Sequence, residues 1–416
     1  MRVRPAGLIL GSFLCLLSLD SGCGEPASVE NQEGSASTDV PSLHPAPAQL
    51  YDEGQVLDFK LTFSSDQWAM FQAIHNNPPP SSLRDTYTKV YVHCSFEALG
   101  IRFEDAACRP KGNPEYWKDE KKPQFVVKFD HWDKDGRFLT LRRLNLEATP
   151  FALAPVRDRL GMWLMRQAGL KAPRVNHARV YKDGALLGLY MNVEQIDKEF
   201  IQSRFTKSKG NLYSQGQYLE TNTSTNDTSR LTTFYDLVED EPMTGDHARF
   251  FTQIDQLLDL RVLLAQTAAE VVLPTGDNFS NGGTNFYYYD DPATGRFILL
   301  PWDLDTITDP ELAPASANPY SFWGAPSLGL KPNKLLQLLY QNPAWKSEFE
   351  SDLVKLRDSV YSKLPAYTDQ VCTQIRGDVL KDPNAYAPIE DFDRDCAAIK
   401  KHVADRTAYL TQVLKR

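Results

Sequence analysis

Alternating apolar and polar residues predict a β-rich first half of the chain. Residues 56–64, VLDFKLTFS, alternate with a period of two, which is typical of a half-buried strand. The same signal recurs between residues 87 and 146, in YTKVYVHCSFEAL, IRFEDAACRPKG, PQFVVKFD and RFLTLRRLNL. The first two of these segments predict a hairpin, and HARVYK and LLGLYMNVE predict two more strands around the turn at Asp183-Gly184.

A helical period first appears at residues 155–170 and dominates the chain from Asp259 onward. The first helix carries apolar side chains at positions 156, 160, 163, 164 and 168, and the helix at 259–273 repeats this spacing. A strand pair, NFYYYDD and RFILLPW, interrupts the helical half before helices resume near residue 332. Residues 216–250 are polar and predict a surface insertion.

This order of elements predicts an α+β fold with two lobes. We place a β-rich N-terminal lobe at residues 50–195 and a mainly helical C-terminal lobe, with its embedded β-hairpin, at residues 196–416. The hairpin belongs to a segment, 274–309, that carries most of the candidate chemistry. A chain of 416 residues is long enough for one two-lobed domain or for two ordinary domains.

The N-terminus predicts export. Two arginines precede an apolar run at residues 6–19 that is too short to span a bilayer, so residues 1–22 are typical of a signal peptide. Cys23 follows small residues and resembles the acylated cysteine of a bacterial lipoprotein. Asp20 stands where such signals usually carry Leu, so plain secretion is the alternative to a lipid anchor. Residues 23–49 are rich in Pro, Ser, Ala and Glu and predict a disordered tether.

The composition argues against a nucleic-acid-binding protein. The formal net charge is −9, and the chain has no basic tract and no interleaving of aromatic residues with arginine. After the N-terminal run, no segment of the sequence is apolar enough to span a membrane. We therefore expect protein partners, and membrane contact only through an N-terminal anchor. The sequence does not indicate an oligomeric state.

The remaining cysteines agree with an oxidising compartment. Cys94 lies near Cys108, and Cys372 lies near Cys396. Four cysteines allow three connectivities, and the large separation between the two groups favours the local pairing. Four buried thiols are the alternative, which an exported protein makes less favourable. The sequence contains no CxxC, and its seven histidines are scattered, so a zinc site is disfavoured.

Two acids follow the apolar run FILLPW with one residue between them. Asp303 and Asp305 would repel each other, and burial would disfavour their ionisation further. Asp277 lies in a loop rich in Gly and Asn, and Asn285 opens the hairpin. Because a hairpin brings its outer ends together, we expect Asn285 and Asp303 to be near neighbours, with Asp277 close by. A solvated turn is the alternative explanation for the two acids.

Three carboxylates and one amide around a point favour a hard cation such as Mg²⁺, Mn²⁺ or Ca²⁺. Protein kinases use this order of residues, with a loop acid beside the attacking hydroxyl, then an Asn and an Asp on the metal. Phosphoryl transfer requires such an arrangement, because transfer between anions needs cations on the phosphates and a base beside the nucleophile.

The first half offers matching parts. Lys128 in FVVKFD lies in a strand, where a kinase keeps the lysine that pairs with the phosphates, and Arg142 and Arg143 compete for that role. An ordinary exposed strand lysine is the alternative for Lys128. Asp158, on the predicted helix, could pair with whichever cation is used. Glu194 ends a strand where the chain would cross between lobes, and it could contact the adenine or ribose of a nucleotide.

Several segments together resemble the CotH family of atypical, spore-coat-type protein kinases. They are LRRLNL, VRDRLGMWLMRQAGLKAPRVNHARVYKDGALLGLYMNVEQIDKEFI, GNLY, GDN and NFYYYDDPATGRFILLPWDLD. The similarity covers roughly residues 50–350. It implies a divergent kinase-like fold, use of ATP with Mg²⁺ or Mn²⁺, and phosphorylation of secreted or surface proteins on Ser or Thr. The stretch LNLEATPFALAP departs from the Asn- and Asp-containing stretch that is usual before the helix.

When the functional residues of the family are assigned by motif, the resemblance implies that Asp277 is the catalytic acid. It places Asn285 and Asp303 at the metal, with Asp305 behind them. A second hypothesis from another class is a non-catalytic surface or assembly protein. Such a protein would use the carboxylates for Ca²⁺, or would keep a degenerate kinase fold as a scaffold.

Overall fold

The computed structural model describes residues 48–80, 83, 87–150, 152–322 and 332–415. The predicted signal peptide, the lipid-anchor candidate Cys23 and nearly all of the predicted tether lie outside the described residues. The last two residues of that tether instead begin a 3-10 helix, Ala48–Tyr51, in which Leu50 and Tyr51 are buried. Within the described part of the chain, no helix is long and apolar enough to cross a bilayer.

Seven strands of the N-terminal region form a closed barrel. They are β1 (Leu57–Thr62), β2 (Val92–Ala98), β3 (Ile101–Pro110), β4 (Phe125–Lys128), β5 (Arg143–Glu147), β6 (Val175–Lys182) and β7 (Ala185–Val193). Their order around the barrel is β1-β2-β3-β4-β5-β7-β6. A parallel pairing of β1 with β6 closes the ring, and the other neighbouring strands are antiparallel.

The barrel follows from the period-two pattern of its strands. Side chains of β1 alternate strictly between buried and exposed, so that Phe59 lies inside, where its ring meets Phe96 edge to face at 5.3 Å. The short helix α1 (Ser65–Asn76) packs against β2 and β3. It begins at Ser64, whose hydroxyl accepts a hydrogen bond from a backbone N–H of the first turn.

Nine further helices surround the second half of the fold. They are α2 (Arg157–Gln167), α3 (Lys198–Arg204), α4 (Ser229–Asp240), α5 (Ala248–Leu257), α6 (Leu260–Val272), α7 (Lys334–Leu339), α8 (Pro343–Ser359), α9 (Leu364–Lys381) and α10 (Ile389–Leu414), counted among the described residues. The apolar faces of these helices, except α3, share one core with the outer face of β6 and β7. Helix α3 packs in a smaller cluster with the hairpin at residues 286–301. The helical region therefore packs directly on the barrel. The predicted lobe boundary at residue 195 stays a prediction, between the end of β7 and the start of α3.

The predicted hairpin belongs to a larger sheet. Strands β10 (Phe286–Asp291) and β11 (Arg296–Pro301) pair from Phe286 opposite Pro301 to Asp291 opposite Arg296. Two short strands, β8 (Leu212–Ser214) and β9 (Tyr218–Leu219), extend the sheet to the order β11-β10-β8-β9. These strands are too short for a period-two pattern to predict them.

The interpretation of residues 216–250 as a surface insertion was incomplete. Helix α4 buries Leu231, Phe234 and Val238, and α5 buries Phe250 and Ile254. Three- and four-residue spacings place these side chains on one face of each helix. Because many polar residues lie between these apolar positions, the sequence pattern did not predict that the two helices pack into the core.

Both predicted disulfides are confirmed. Cys94–Cys108 joins β2 to β3, with 6.1 Å between the Cα atoms, and Cys372–Cys396 joins α9 to α10, with 6.5 Å. All four cysteines are buried. The first bridge fastens the hairpin inside the barrel, and the second fastens the C-terminal helix to its neighbour.

Candidate active site

Three carboxylates from distant parts of the chain meet between the barrel and the helices. Glu147 ends β5, Asp158 lies in the first turn of α2, and Asp303 follows β11. Each offers one oxygen, and these oxygens lie within 4.8 Å of one another. We call this group the acidic triad. Glu147 and Asp158 are buried, and Asp303 is partly buried.

The carboxylates of the triad repel one another. The pKa of Asp303 is raised from 3.8 to about 7, mainly by burial and then by the nearby charge of Glu147, although Lys111 lowers it in part. Burial also raises the pKa of Asp158 well above its ordinary value, with added repulsion from Glu147 and Asp303. The Oδ2 atom of Asp158 is buried, and none of the described residues donates a hydrogen bond to it. A buried oxygen of this kind is a suitable ligand for a positive ion.

One lysine partly neutralises the triad. Lys111, directly after β3, places its Nζ 2.7 Å from Oε1 of Glu147. Burial lowers the pKa of Lys111, but the charges of Glu147 and Asp303 outweigh burial and hold its pKa above the ordinary value. With all three carboxylates ionised, the triad and the Lys111 ammonium together would carry a net charge of −2. A divalent cation would neutralise that charge.

Asp277 and Asn285 are in direct contact. The Asn285 Nδ2 donates to Oδ2 of Asp277 at 3.1 Å and to its backbone carbonyl at 3.0 Å. The hydroxyl of Thr306 donates to the other carboxylate oxygen at 2.8 Å. Asp277 is also near enough to Asp303 for its charge to raise the pKa of Asp303.

The hairpin sets the positions of Asn285 and Asp303. These residues flank the pair Phe286 and Pro301, and the backbone N–H of Trp302 donates to the carbonyl of Asn285 at 3.2 Å. Asn285 has φ 57° and Asp303 has φ 55°, a left-handed conformation that residues other than Gly seldom adopt. Such strained residues concentrate at functional sites.

Comparison with known proteins gives the family. The family described as "CotH kinase protein" matches residues 109–410, which is more than half of the chain. The chain belongs to the CotH kinase family. Inner spore coat protein H of Bacillus subtilis (strain 168) is 22% identical over 318 residues, covering 70% of this chain and 83% of that protein.

Two solved structures are similar over much of their length. The Helicobacter pylori proinflammatory kinase CtkA has a TM-score of 0.34 and 9% identity, covering 74% of this chain and 96% of CtkA. The Shewanella oneidensis MR-1 complex of HipA, HipB and operator DNA has a TM-score of 0.36 and 14% identity, covering 88% of this chain and 76% of that chain. Both TM-scores lie below 0.5, so we base no argument on either.

In this CotH kinase family member, α2 supports the turn after β11. The Oδ1 of Asp158 accepts the backbone N–H of Leu304 at 2.7 Å. One turn along the same face, Gly161 lies directly beneath the side chain of Leu304. A Cβ on Gly161 would lie 2.8 Å from the Leu304 Cβ. The glycine therefore permits the close approach that holds Asp303 against Asp158.

Gly161→Ala is expected to destabilise the protein. Alanine normally stabilises a helix interior by about 1 kcal/mol relative to glycine. Here the added methyl would force Leu304 away, and overpacking of this kind costs about 1–3 kcal/mol. Chemical denaturation measures the change. Gly377→Ala on α9 is the matched control, because a Cβ there meets no atom within 4 Å. Equal effects of the two substitutions would contradict the packing argument.

Lys128 and Arg142, two of the predicted nucleotide-binding residues, pair with acidic side chains in the structure. Lys128 lies opposite Arg143, at the far end of β5 from Glu147, roughly 13 Å along the strand. Its Nζ is 3.6 Å from Oδ1 of Asp130. Arg142 lies 2.5 Å from Glu199 and 3.3 Å from Asp130. The nucleotide roles of Lys128 and Arg142 stay predictions.

Glu194 and Asp305 also occupy surroundings that the sequence did not predict. Glu194 is buried and pairs with Arg174 at 2.7 Å and with Arg204, and these arginines hold the pKa of Glu194 below its ordinary value despite burial. Asp305 is exposed and lies outside the triad, although its charge contributes to the raised pKa of Asp158. Their roles at nucleotide and metal likewise stay predictions.

Sequence reasoning missed Lys111 and Glu147. Glu147 lies in the stretch that departs from the family pattern, but it directly follows the buried strand residues LNL, as Asp303 follows β11. A carboxylate at the end of a buried strand was the available signal. Lys111 had no comparable signal, because RPKGNP is typical of an ordinary turn.

Proposed function

We propose that this protein is an exported, metal-dependent kinase. It would transfer the γ-phosphoryl group of ATP to Ser or Thr of secreted or surface proteins. The observation that carries the proposal is the convergence of the three carboxylates of the acidic triad beside the Asp277–Asn285 pair. Membership of the CotH kinase family supports the same reaction class.

The residues present fit Mg²⁺ or Mn²⁺. These hard cations take oxygen ligands, and the site offers carboxylate and amide oxygens, including the buried Oδ2 of Asp158. Asp303 and Asp158 would hold the cation, with Asn285 and Asp305 as further candidate ligands. When bound, the metal supplies positive charge against the phosphates of ATP.

The chain's own residues would perform the remaining tasks. Asp277 would accept or orient the hydroxyl of the substrate Ser or Thr, and Asn285 fixes one of its carboxylate oxygens. Lys111 would neutralise phosphate charge, because its ion pair with Glu147 places a cation at the triad. This assignment replaces Lys128 with Lys111 as the favoured lysine.

Export is supported by the cysteines and by the N-terminal pattern. Disulfides persist in oxidising compartments, and this chain has two among its described residues. The related Bacillus subtilis protein is named an inner spore coat protein, which agrees with a role outside the cytoplasm. We propose acylation at Cys23 as the means of retention at the membrane. The partner would be a protein that carries the phosphorylated residue.

Transfer of radiolabelled phosphate from ATP tests the proposed reaction. The full chain is expected to label a protein acceptor in the presence of Mn²⁺ or Mg²⁺. Asp277→Asn should reduce the rate by about 10²–10⁴, the usual contribution of a positioned base. Asp236→Asn, an exposed position on α4, serves as the control and should label normally. Equal labelling by the wild type and Asp277→Asn would show that Asp277 is not the residue that orients or accepts the substrate hydroxyl.

The oxygen-only triad also suits Ca²⁺, which favours a second candidate, a non-catalytic surface or assembly protein. Thermal melting separates the two. Stabilisation by ATP with Mn²⁺ or Mg²⁺, but not by Ca²⁺ alone, supports the kinase. Stabilisation by Ca²⁺ alone, with no effect of ATP, supports the assembly protein.

A further inference from the structure

The hydroxyl of Thr306 connects the turn after β11 to the loop that carries Asp277. Its Oγ1 lies 2.8 Å from Oδ1 of Asp277, 2.6 Å from Oγ1 of Thr275 and 3.2 Å from the backbone nitrogen of Gly276. All three partners belong to the same short stretch of chain. Thr306 itself follows Asp305, so one side chain links the segment with the candidate metal ligands to the segment with the candidate base.

Donor and acceptor counting fixes the direction of these hydrogen bonds. An ionised carboxylate only accepts, so the single proton of the Thr306 hydroxyl points to Asp277. The hydroxyl oxygen then accepts from the Gly276 N–H and from the Thr275 hydroxyl. One donor and two acceptor positions are thus all occupied, which holds the hydroxyl in one orientation.

Asp277 is therefore held at both carboxylate oxygens. Asn285 donates to Oδ2, and Thr306 donates to Oδ1. Loss of the Thr306 donor would remove the hydrogen bond that fixes Oδ1 and would widen the range of orientations open to the carboxylate. A base that rotates no longer points consistently at the substrate hydroxyl.

We propose that Thr306 is a positioning residue for phosphoryl transfer, acting by orienting Asp277. This inference rests on the proposed kinase function. It predicts a specific kinetic signature, because Thr306 acts through the base. Loss of its hydroxyl should lower kcat by about 10- to 100-fold, the effect expected from a misplaced reacting group. KM for ATP should change by no more than about twofold, because Thr306 is not expected to contribute to the binding of ATP in the ground state.

Thr306→Val tests the inference, because valine keeps the shape of threonine and lacks the hydroxyl. Thr306→Ser restores the hydroxyl and should recover most of the wild-type kcat. Thr308→Val is the matched control, since Thr308 is buried in the same segment and its hydroxyl forms no hydrogen bond with any residue in the described part of the chain. Thermal melting establishes that each variant is folded. If Thr306→Val does not fold, Thr306→Ala compared with Thr306→Ser isolates the hydroxyl in the same way.

The outcomes distinguish the inference from the function on which it rests. A wild type that transfers no phosphate would overturn both. An active wild type with equal kcat in Thr306→Val and Thr308→Val would overturn the inference alone. A raised KM for ATP with unchanged kcat would also overturn it, because Thr306 would then act on nucleotide binding. A lowered kcat that Thr306→Ser restores, with KM unchanged, supports it.

Discussion

Asp303→Asn is expected to stabilise the metal-free protein while abolishing phosphoryl transfer. The neutral amide relieves repulsion within the acidic triad, and it replaces a negatively charged ligand with a neutral one that attracts a divalent cation much less strongly. Asparagine also tolerates the left-handed backbone at this position. A rise in stability together with a loss of activity would distinguish Asp303 from an ordinary structural carboxylate, because removing a structural carboxylate lowers both stability and activity.

The pH dependence gives the size and sign of the stabilisation. The folded protein binds the Asp303 proton more tightly than the unfolded chain, because burial and the charge of Glu147 raise its pKa from 3.8 to about 7. The free energy of unfolding therefore falls as pH rises through this interval, and the loss is complete above it. Allowing for solvent screening at this partly exposed side chain, Asp303→Asn should gain on the order of 1–3 kcal/mol at pH 8 and little at pH 4.

Denaturation at both pH values, with and without Mn²⁺ and ATP, checks this prediction. For stability without metal, Asp305→Asn is the control, because Asp305 is exposed and lies outside the triad. It should change stability less than Asp303→Asn does. Stabilisation of Asp303→Asn by Mn²⁺ equal to that of the wild type would contradict the assignment of Asp303 to the metal.

Lys111→Met is expected to lower both activity and stability. Removing the ammonium leaves Glu147 buried beside two other carboxylates. Breaking a buried ion pair by deleting one partner typically costs about 3–5 kcal/mol. Loss of a preorganised charge at the phosphates should also lower kcat by about 10²–10³.

A double variant separates these two effects. Lys111→Met combined with Glu147→Gln removes the unpaired charge, so stability should recover while activity does not. Lys128→Met is the control and decides between the two lysines, because Lys128 pairs with Asp130 away from the triad. Denaturation and single-turnover phosphoryl transfer are the measurements. Loss of activity in Lys128→Met with normal activity in Lys111→Met would restore the sequence-based assignment.

The sequence by itself predicted the longer strands and the long helices, and it favoured the local disulfide pairs. Each depends on residues that are near in the chain, such as the alternation in β1 or the short separation of Cys94 and Cys108. It also determined that Asn285 and Asp303 flank one hairpin, because antiparallel pairing brings the ends of adjacent strands together.

The tertiary structure alone decided the composition of the acidic triad. Glu147, Asp158 and Asp303 come from a barrel strand, a helix and a hairpin, and Lys111 comes from the turn after another strand. No local period relates these positions, since their proximity depends on how α2 packs between the barrel and the turn after β11. That packing in turn requires Gly161 beneath Leu304. Local patterns specify which faces are buried, whereas the contacts between distant segments form only when those faces pack together.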